Sequence, residues 1–260
     1  MVPTLTQGAL GLASGSLVGF SLGLVGGGGS ILAVPLLVYL VGVASPHVAI
    51  GTSAVAVAVN AAMNLANHAR GGNVKWRCAF VFAAAGVSGA FAGSMLGKLV
   101  DGQSLLSLFA IMMLVVAGLM LRTRGSISVP SVTLSRENLP KLLALGLLTG
   151  GLSGFFGIGG GFLIVPALML ATRMPILNAV GSSLVAVTAF GLTTSASYAF
   201  SGLVDWGLAA LFILGGLAGG LLGARASKFL AGHKGLLNSV FAGLIIVVAL
   251  YVLGRGFSLI

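Results

Sequence analysis

The sequence is poor in charged residues and in cysteine, and both shortages narrow the class of protein. Only 6% of its 260 residues are charged, whereas 58% are hydrophobic. A soluble domain needs many more charged side chains to cover its surface, so the composition predicts a chain whose solvent is lipid. The single cysteine, Cys78, excludes an internal disulfide and a multi-cysteine metal site. We therefore expect neither a metal nor another cofactor.

Acidic residues are also scarce, and their positions exclude one kind of transport. Asp101, Glu137 and Asp205 are the three in the chain, and all lie in loops or in a polar stretch near its middle. A cation pump or proton relay needs a carboxylate at membrane depth, which this pattern does not offer. The 13 Lys and Arg residues lie in short loops between apolar runs. They therefore indicate membrane orientation rather than a nucleic-acid partner.

What the sequence has in abundance is self-similarity. Residues 26–35, GGGGSILAVP, match residues 157–166, GIGGGFLIVP, at an offset of 131. The offset is 130 from residues 49–53 and 179–183 onward, and it continues through Trp76 and Trp206. Agreement over such a length is the signature of an internal repeat. It predicts a first transmembrane repeat over residues 1–121, a cytoplasmic linker over 122–140 and a second repeat over 141–260.

Each half contains five apolar segments. They cover residues 9–25, 30–43, 47–67, 76–97 and 104–121 in the first half and 141–156, 161–172, 176–199, 206–224 and 236–253 in the second. The first two segments of each half are joined by glycines without a polar loop, so they form either a re-entrant hairpin or two full crossings. Both arrangements give an odd number of crossings, and the second half must begin on the opposite face. The predicted fold is an all-α membrane protein with two inverted-topology repeats, each a glycine-broken helix pair or re-entrant hairpin followed by three transmembrane helices.

The distribution of basic residues predicts which face is cytoplasmic. This topology places eleven on one side, Arg70, Lys75, Arg77, Arg122, Arg124, Arg136, Lys141, Arg173, Arg225, Lys228 and Lys234, and two, Lys98 and Arg255, on the other. The positive-inside rule then places the linker in the cytoplasm and both termini outside. Residues 1–7 carry no Lys or Arg. We therefore expect the first apolar run to belong to the mature protein rather than to a signal peptide.

The glycine clusters are the first candidate site. A break at membrane depth is tolerated where the backbone faces protein or a watery cavity, and paired breaks in inverted halves indicate a transporter site. A new helix is expected to begin after each break, at Ser30 and at about Phe162, where free N–H groups suit an anion. The candidate residues are Gly27, Gly28, Gly29, Ser30, Gly159, Gly160 and Gly161. The alternative is that these glycines only allow helices to pack closely.

A polar stripe on the third segment is the second candidate. Ser53, Asn60, Asn64 and Asn67 share one face of a helix, and their repeat partners are Ser183, Phe190, Thr194 and Ser197. In inverted halves the two stripes run antiparallel, so together they predict a path across the membrane, with Asn60, Asn64 and Thr194 as binding residues. The alternative is that these side chains bond only to neighbouring helices.

These motifs carry a resemblance to a known family. Paired glycine-rich segments ending in Val-Pro, followed by Ala-Ile/Val-Gly-Thr/Ser-Ser, resemble the TauE/SafE family of sulfite exporters, which includes 4-toluene sulfonate uptake permeases. The resemblance covers nearly the whole chain and implies a permease for sulfur oxyanions or organosulfonates in a cell inner membrane. It also implies that the motif stretches surround the substrate, which adds Thr52, Ser53, Ser182 and Ser183 to the candidate binding residues.

Together these observations predict a transporter for small anions and not an enzyme. The expected partners are a small anionic substrate and the lipid bilayer, and no particular oligomeric state is indicated. An anion channel is the alternative in the same class. The alternatives from other classes are a non-transporting accessory subunit and an intramembrane enzyme. Ser153 lies in a Gly-Leu-Ser-Gly stretch like that of rhomboid proteases, but His47, His68 and His233 all lie near segment ends, so we expect no general base at its depth.

Overall fold

The structure, a computed structural model, describes residues 5–122, 133–157, 161–230 and 236–256, and these ranges contain helices and no β-strand. The helices are α1 (Leu5–Val25), α2 (Ala33–Pro35), α3 (Pro46–Arg70), α4 (Trp76–Leu99), α5 (Gly102–Arg122), α6 (Leu139–Phe156), α7 (Gly161–Thr172), α8 (Ile176–Phe200), α9 (Trp206–Leu230) and α10 (Leu236–Gly256). A 3₁₀ helix, Gly26–Leu32, precedes α2, and a π-helical stretch, Leu36–Leu40, follows it. The helices follow the apolar segments of the sequence closely.

The chain is a multi-pass membrane protein. Among the described residues, six helical stretches are long and apolar enough to cross a bilayer. They are Leu5–Leu40, Pro46–Arg70, Trp76–Leu99, Leu139–Phe156, Ile176–Phe200 and Trp206–Ala226. Residues 123–132, which make up much of the expected linker, lie outside the described ranges.

The first glycine cluster reverses the chain. Gly26 has a φ of 70°, a left-handed conformation that glycine adopts without a steric penalty. Three residues later, Gly29 lies so close to Ser21 and Leu22 of α1 that a Cβ there would meet their backbone. The first two segments therefore form a hairpin. The prediction of a new helix at Ser30 was wrong, because the glycines themselves form a 3₁₀ helix that begins at Gly26.

The two halves share unusual backbone conformations at corresponding positions. Gly26 and Gly157 have φ values of 70° and 67°, and Gly72 and Gly202 both have 69°. Gly42 has a φ of 81°, and its counterpart is Arg173, with 57°, although a side chain disfavours this region. The pairs keep the offsets of the sequence repeat, so the repeated sequence forms repeated backbone geometry.

Glycine contacts join the first helix of each half to the fourth helix of the other. On α1, a Cβ added to Gly19 would fall on the backbone of Gly216 of α9. The counterpart of Gly19 is Gly150 of α6, where a Cβ would fall on Gly86 of α4. Such close approach of backbones is typical of helices packed in lipid, where small residues form the interfaces. The two halves are therefore interlocked.

The third helices of the two halves, α3 and α8, form the centre of the fold and run antiparallel. Gly51 near the start of α3 lies against Leu203 just after α8, whereas Gly181 near the start of α8 lies against Asn73 just after α3. The inverted arrangement of the two halves across a membrane stays a prediction from the sequence. The orientation of the chain in a membrane stays a prediction from its charges.

Candidate functional site

A groove runs between α3 and α9. It consists of two adjoining cavities of about 300 and 270 Å³ that share Asn67, Arg70 and Leu221. The remaining lining residues are Asn60, Met63, Asn64, Ala66, His68, Gly71, Asn73, Gly216, Leu217, Gly220, Ala224 and Arg225. We call this the α3–α9 groove. Three of the four positions in the predicted first-half stripe, Asn60, Asn64 and Asn67, line it.

The deep end of the groove is formed by two asparagines packed against glycines. Asn60 and Asn64 are 1% and 2% exposed. A Cβ on Gly216 would overlap the Asn60 amide, and one on Gly220 would lie 2.7 Å from Nδ2 of Asn64. The α9 glycines, four residues apart, therefore leave room for α3 side chains that are also four apart. Because residues four apart lie on one side of a helix, the two glycines of α9 and the two asparagines of α3 lie on the sides of the helices that face each other.

The Asn60 amide has no protein hydrogen-bond partner. Neither its Nδ2 nor its Oδ1 is paired, and Oδ1 of Asn64 is also unpaired. Nδ2 of Asn64 donates to the carbonyl oxygen of Asn60 at 2.9 Å. A buried amide without a partner costs about 1–3 kcal/mol, so these groups are suited to a polar ligand or to water.

The other end of the groove carries positive charge. Arg70, the last residue of α3, and Arg225 of α9 are both exposed and line the same cavity. Half-buried Asn67 and Asn73 lie beside them. None of the described lining residues is acidic, so the electrostatic potential at this end favours an anion.

His68 connects the groove to α1. Its side chain is 5% exposed and lines the cavity that contains Arg70 and Arg225. Its Nε2 lies 3.4 Å from the carbonyl oxygen of Gly23, two residues before the end of α1. His68 therefore links the lining of the groove to the carboxyl-terminal turn of α1.

The predicted hydroxyl ligands lie elsewhere, in fully buried positions. Ser30, Ser53 and Ser183 each donate to a carbonyl oxygen three residues earlier, at 2.8–2.9 Å. Ser183 Oγ also accepts from the N–H of Gly27 at 3.1 Å. One of the N–H groups expected to be free for an anion is thus bound to α8. In this conformation the Ser30 and Ser183 hydroxyls fasten the 3₁₀ helix, the Ser53 hydroxyl bonds within α3, and none of the three lines the groove.

Thr52 and Ser182 make a matched pair of hydrogen bonds. Thr52 Oγ1 accepts from the backbone N–H of Asp205 at 2.9 Å, and Ser182 Oγ accepts from that of Lys75 at 2.8 Å. Both pairs keep the repeat offset of 130. Each third helix therefore holds the loop that precedes the fourth helix of the other half.

The predicted stripe on α8 is filled at the position corresponding to Asn60. There Phe190 is 0% exposed, and its ring occupies the space that a Cβ on Gly86 of α4 would need. Thr194, the counterpart of Asn64, is also fully buried, and its Oγ1 has no protein partner. The structure therefore does not bring Thr194 together with Asn60 and Asn64 in the α3–α9 groove.

The structure describes all the candidate glycines of the first break but only Gly161 of those in the second. Gly27, Gly28 and Gly29 are buried in the 3₁₀ helix. Gly159 and Gly160 lie outside the described residues, and Gly161 begins α7.

Sequence reasoning missed part of the groove. It used Arg70 and Arg225 only to orient the chain, and it treated Gly216 only as a repeat match. The signal that identifies the facing helix is the four-residue spacing of Gly216 and Gly220, which equals that of Asn60 and Asn64.

The fold and the groove define a multi-pass helical membrane protein with a cationic, amide-lined groove between two helices. Residues 11–252 match the family described as sulfite exporter TauE/SafE. The chain therefore belongs to this family of membrane transporters.

Known proteins with similar sequences have matching descriptions. A probable membrane transporter protein of Xylella fastidiosa is 55% identical over 249 residues, covering 95% of both chains. The probable membrane transporter protein YunE of Bacillus subtilis is 29% identical over 244 residues, covering 84% of this chain and 86% of its own. A probable membrane transporter protein of Haemophilus influenzae is 30% identical over 205 residues, covering 75% and 74%. No solved structure matches the chain.

Proposed function

We propose that this protein is an inner-membrane permease for small oxyanions, with sulfite or an organosulfonate as substrate, and that the α3–α9 groove is part of its pathway. The observation that carries the proposal is the unpaired, buried Asn60 amide at the deep end of a groove whose other end holds Arg70 and Arg225. The family name supports sulfur oxyanions as the substrate class.

Asparagine amides are suited to an anion that must bind and then leave. Their N–H groups donate to sulfonate or sulfite oxygens, whereas a buried arginine would hold the anion by a much stronger charge pair. Of the three acidic residues, Asp101 and Asp205 bind backbone N–H groups at helix starts, which places them away from the groove. The groove is therefore chemically selective for negative charge without a permanent buried counter-ion.

The remaining predicted ligands belong to the same proposal at a second location. Gly26 and Gly157, both with a left-handed φ, precede the short segments, and in this proposal they act as the hinges about which these segments move. We place the anion at the midplane against these segments when they open. The residues of this second location are Gly27, Gly28, Gly29, Ser30, Thr52, Ser53, Gly159, Gly160, Gly161, Ser182, Ser183 and Thr194.

The unequal interfaces favour a carrier over a channel. The α3–α9 groove is open and contains unpaired amide groups, whereas its counterpart between α8 and α4 is filled by Phe190. A permanent pore would need both to be open at once, but alternating access needs only one. The enzyme alternative has little support, because the Oγ of Ser153 is 0% exposed and has no protein partner that would act as its base.

Anion flux into proteoliposomes tests the proposal. Purified protein should take up labelled sulfite or a labelled sulfonate saturably and show counterflow. Replacing Asn60 or Asn64 by Leu should lower kcat/KM about ten-fold or more, since each variant loses hydrogen bonds to a charged ligand. Ser88→Ala, on an exposed face of α4, is the matched control and should leave transport unchanged. Flux linear in concentration would indicate a channel, and no flux of either anion would reject the proposal.

The proposed direction follows from the membrane potential. An anion leaving a cell that is negative inside gains about 2.3 kcal/mol per charge per 100 mV, so export needs no coupled ion. We expect net flux to follow the imposed voltage and the anion gradient. With the voltage clamped at zero by potassium and valinomycin, an inward proton gradient should drive little accumulation. Strong accumulation would instead reveal proton coupling, with His47 and His68 as the first residues to replace.

The proposed orientation has its own test. A cysteine at Ser131, in the linker, should react with an impermeant thiol reagent only from the cytoplasmic side, and one at Gly102 only from outside. The native Cys78 is 1% exposed, so it provides a low background. Labelling of both new cysteines from the same side would contradict the inverted orientation.

A further inference from the structure

We infer that Arg70 and Arg225 form an oxyanion-capture site at the mouth of the α3–α9 groove, which loads and releases the transported anion. This inference rests on the proposed function and adds two residues to it. Both side chains are exposed and line one cavity of about 300 Å³, although the residues lie on different helices.

The mouth carries several hydrogen-bond donors. Two guanidinium groups in one small cavity repel each other, and an oxyanion between them removes that repulsion while accepting several N–H bonds. Asn67 and Asn73 add side-chain amides to the same cavity. The loop that carries Asn73 is held in place because Asn178 of α8 donates to the Asn73 carbonyl oxygen at 3.3 Å. The two arginines therefore have a fixed frame around them.

Arg70 and Arg225 lie at the entrance to a groove that leads to Asn64 and Asn60. This position distinguishes them from the other basic residues on the predicted cytoplasmic face. Asn67, Arg70 and Leu221 line both cavities, so an anion bound at the mouth has a continuous route to Asn64 and Asn60. Arg77 is also exposed, in the first turn of α4, but it is not among the residues that line the groove. Arg77 is thus a natural control for charge alone.

A phospholipid headgroup offers the same oxyanion chemistry as the substrate. Met63 and Leu221, at the rim of the groove, are 43% and 54% exposed, so a lipid chain has an apolar surface to follow. The geometry favours the substrate, because the groove continues past the arginines to the unpaired amide of Asn60, which needs a polar partner that an acyl chain does not supply. The experiment includes an arm for each source.

The test compares Arg70→Gln, Arg225→Gln and the double variant with Arg77→Gln in proteoliposomes of phosphatidylcholine. The apparent KM for sulfite should rise about three-fold in each single variant and about ten-fold in the double variant, the size expected when exposed charges are removed. The maximal rate should stay within two-fold, and the KM difference should shrink when the salt concentration rises from 50 to 500 mM. Arg70→Lys with Arg225→Lys should restore part of the affinity, which a purely structural role would not predict.

The outcomes separate the possibilities. A KM in the double variant equal to that of Arg77→Gln, with transport intact, overturns the capture site but leaves the proposed function standing. If the wild type transports neither sulfite nor a sulfonate, both are overturned. The same variants are then measured in vesicles with 30% phosphatidylglycerol. An effect that appears only in those vesicles assigns the arginines to an anionic lipid headgroup and overturns substrate capture, whereas an effect in both supports it.

Discussion

The α3–α9 groove and the α8–α4 interface occupy corresponding places in the two halves but differ in what fills them. In the first, the small Asn60 amide faces Gly216, and space remains beside it. In the second, the Phe190 ring fills the space against Gly86. The backbone positions correspond, so side-chain differences, with Asn60 against Phe190 at the centre, decide whether the interface is a groove or a packed contact.

The difference extends towards the ends of the two third helices. His68 is replaced by Tyr198, whose ring lies 5.8 Å from the Lys98 ammonium. Lys98 Nζ also donates to the carbonyl oxygen of Ser197 at 3.2 Å and to the Ser201 hydroxyl at 3.1 Å. The end of α8 is thus covered by a lysine, whereas Arg70 at the end of α3 is exposed. The two repeats therefore differ: one has a groove with an exposed arginine at its end, and the other has a filled interface covered by Lys98. This is the asymmetry expected of a carrier in one of its states.

The largest expected effect concerns a contact that the two halves share, the close approach of the first helix of each half to the fourth helix of the other. Gly19→Leu and Gly150→Leu each place a side chain where the partner helix has its backbone. Both should prevent the halves from assembling, and purified protein should be aggregated or absent by size-exclusion chromatography. The control is Gly118→Leu, because a Cβ at Gly118 meets nothing within 4 Å. A variant at Gly19 that folds while one at Gly150 does not would show that the two crossings are not equivalent.

Exchanging Asn60 and Phe190 tests the difference between the α3–α9 groove and the α8–α4 interface. Asn60→Phe should fill the α3–α9 groove as Phe190 fills its counterpart, and it should abolish transport while the protein remains folded. Phe190→Asn should instead lower the free energy of unfolding by about 3 kcal/mol, since it removes a buried ring and leaves an amide in its place. Thermal unfolding in detergent and sulfite flux measure the two effects. Transport by Asn60→Phe at the wild-type rate would show that the groove is not on the pathway.

A smaller effect is expected at the matched hydroxyls. Thr52→Val and Ser182→Ala each remove the acceptor for one backbone N–H, of Asp205 and Lys75 respectively. Each variant should be destabilised by about 1 kcal/mol, the usual contribution of one hydrogen bond, and by similar amounts. If these hydroxyls also bind the anion in another conformation, KM rises as well. An unchanged KM in both variants would restrict Thr52 and Ser182 to a structural role.

The last and no larger effect is expected at Arg173 and its counterpart Gly42, a pair of positions where the repeat conflicts with local preference. Arg173→Gly should stabilise the protein by about 1 kcal/mol, because glycine adopts the φ of 57° without the penalty that a side chain carries. Its counterpart Gly42 already has this freedom, and Gly42→Ala should destabilise by a similar amount. Both changes are measured as shifts in thermal unfolding. A loss of stability in Arg173→Gly would mean that the arginine side chain makes compensating contacts.

Particular residues show how far local sequence carried the prediction. The third helix was expected over residues 47–67 and extends from Pro46 to Arg70, since an apolar run bounded by Pro and Gly has one favourable conformation in lipid. The helix start at Ser30 was misplaced, because four consecutive glycines have little local preference and α1 and Ser183 decide how they fold. The roles of Thr52 and Ser182 were also inaccessible, since their partners lie more than 100 residues away in the chain.

The sequence by itself determined the membrane environment, the repeat, the helices and the polar stripe on α3, because hydropathy and helical periodicity act over a few turns of chain. Only the tertiary structure decided which helix faces that stripe and which of the two corresponding interfaces is open. It also brought together Arg70 and Arg225, which the sequence separates by most of the molecule. The physical reason is that a groove is the space left between side chains of distant segments. Its shape therefore depends on their packing and not on the local preference of either segment.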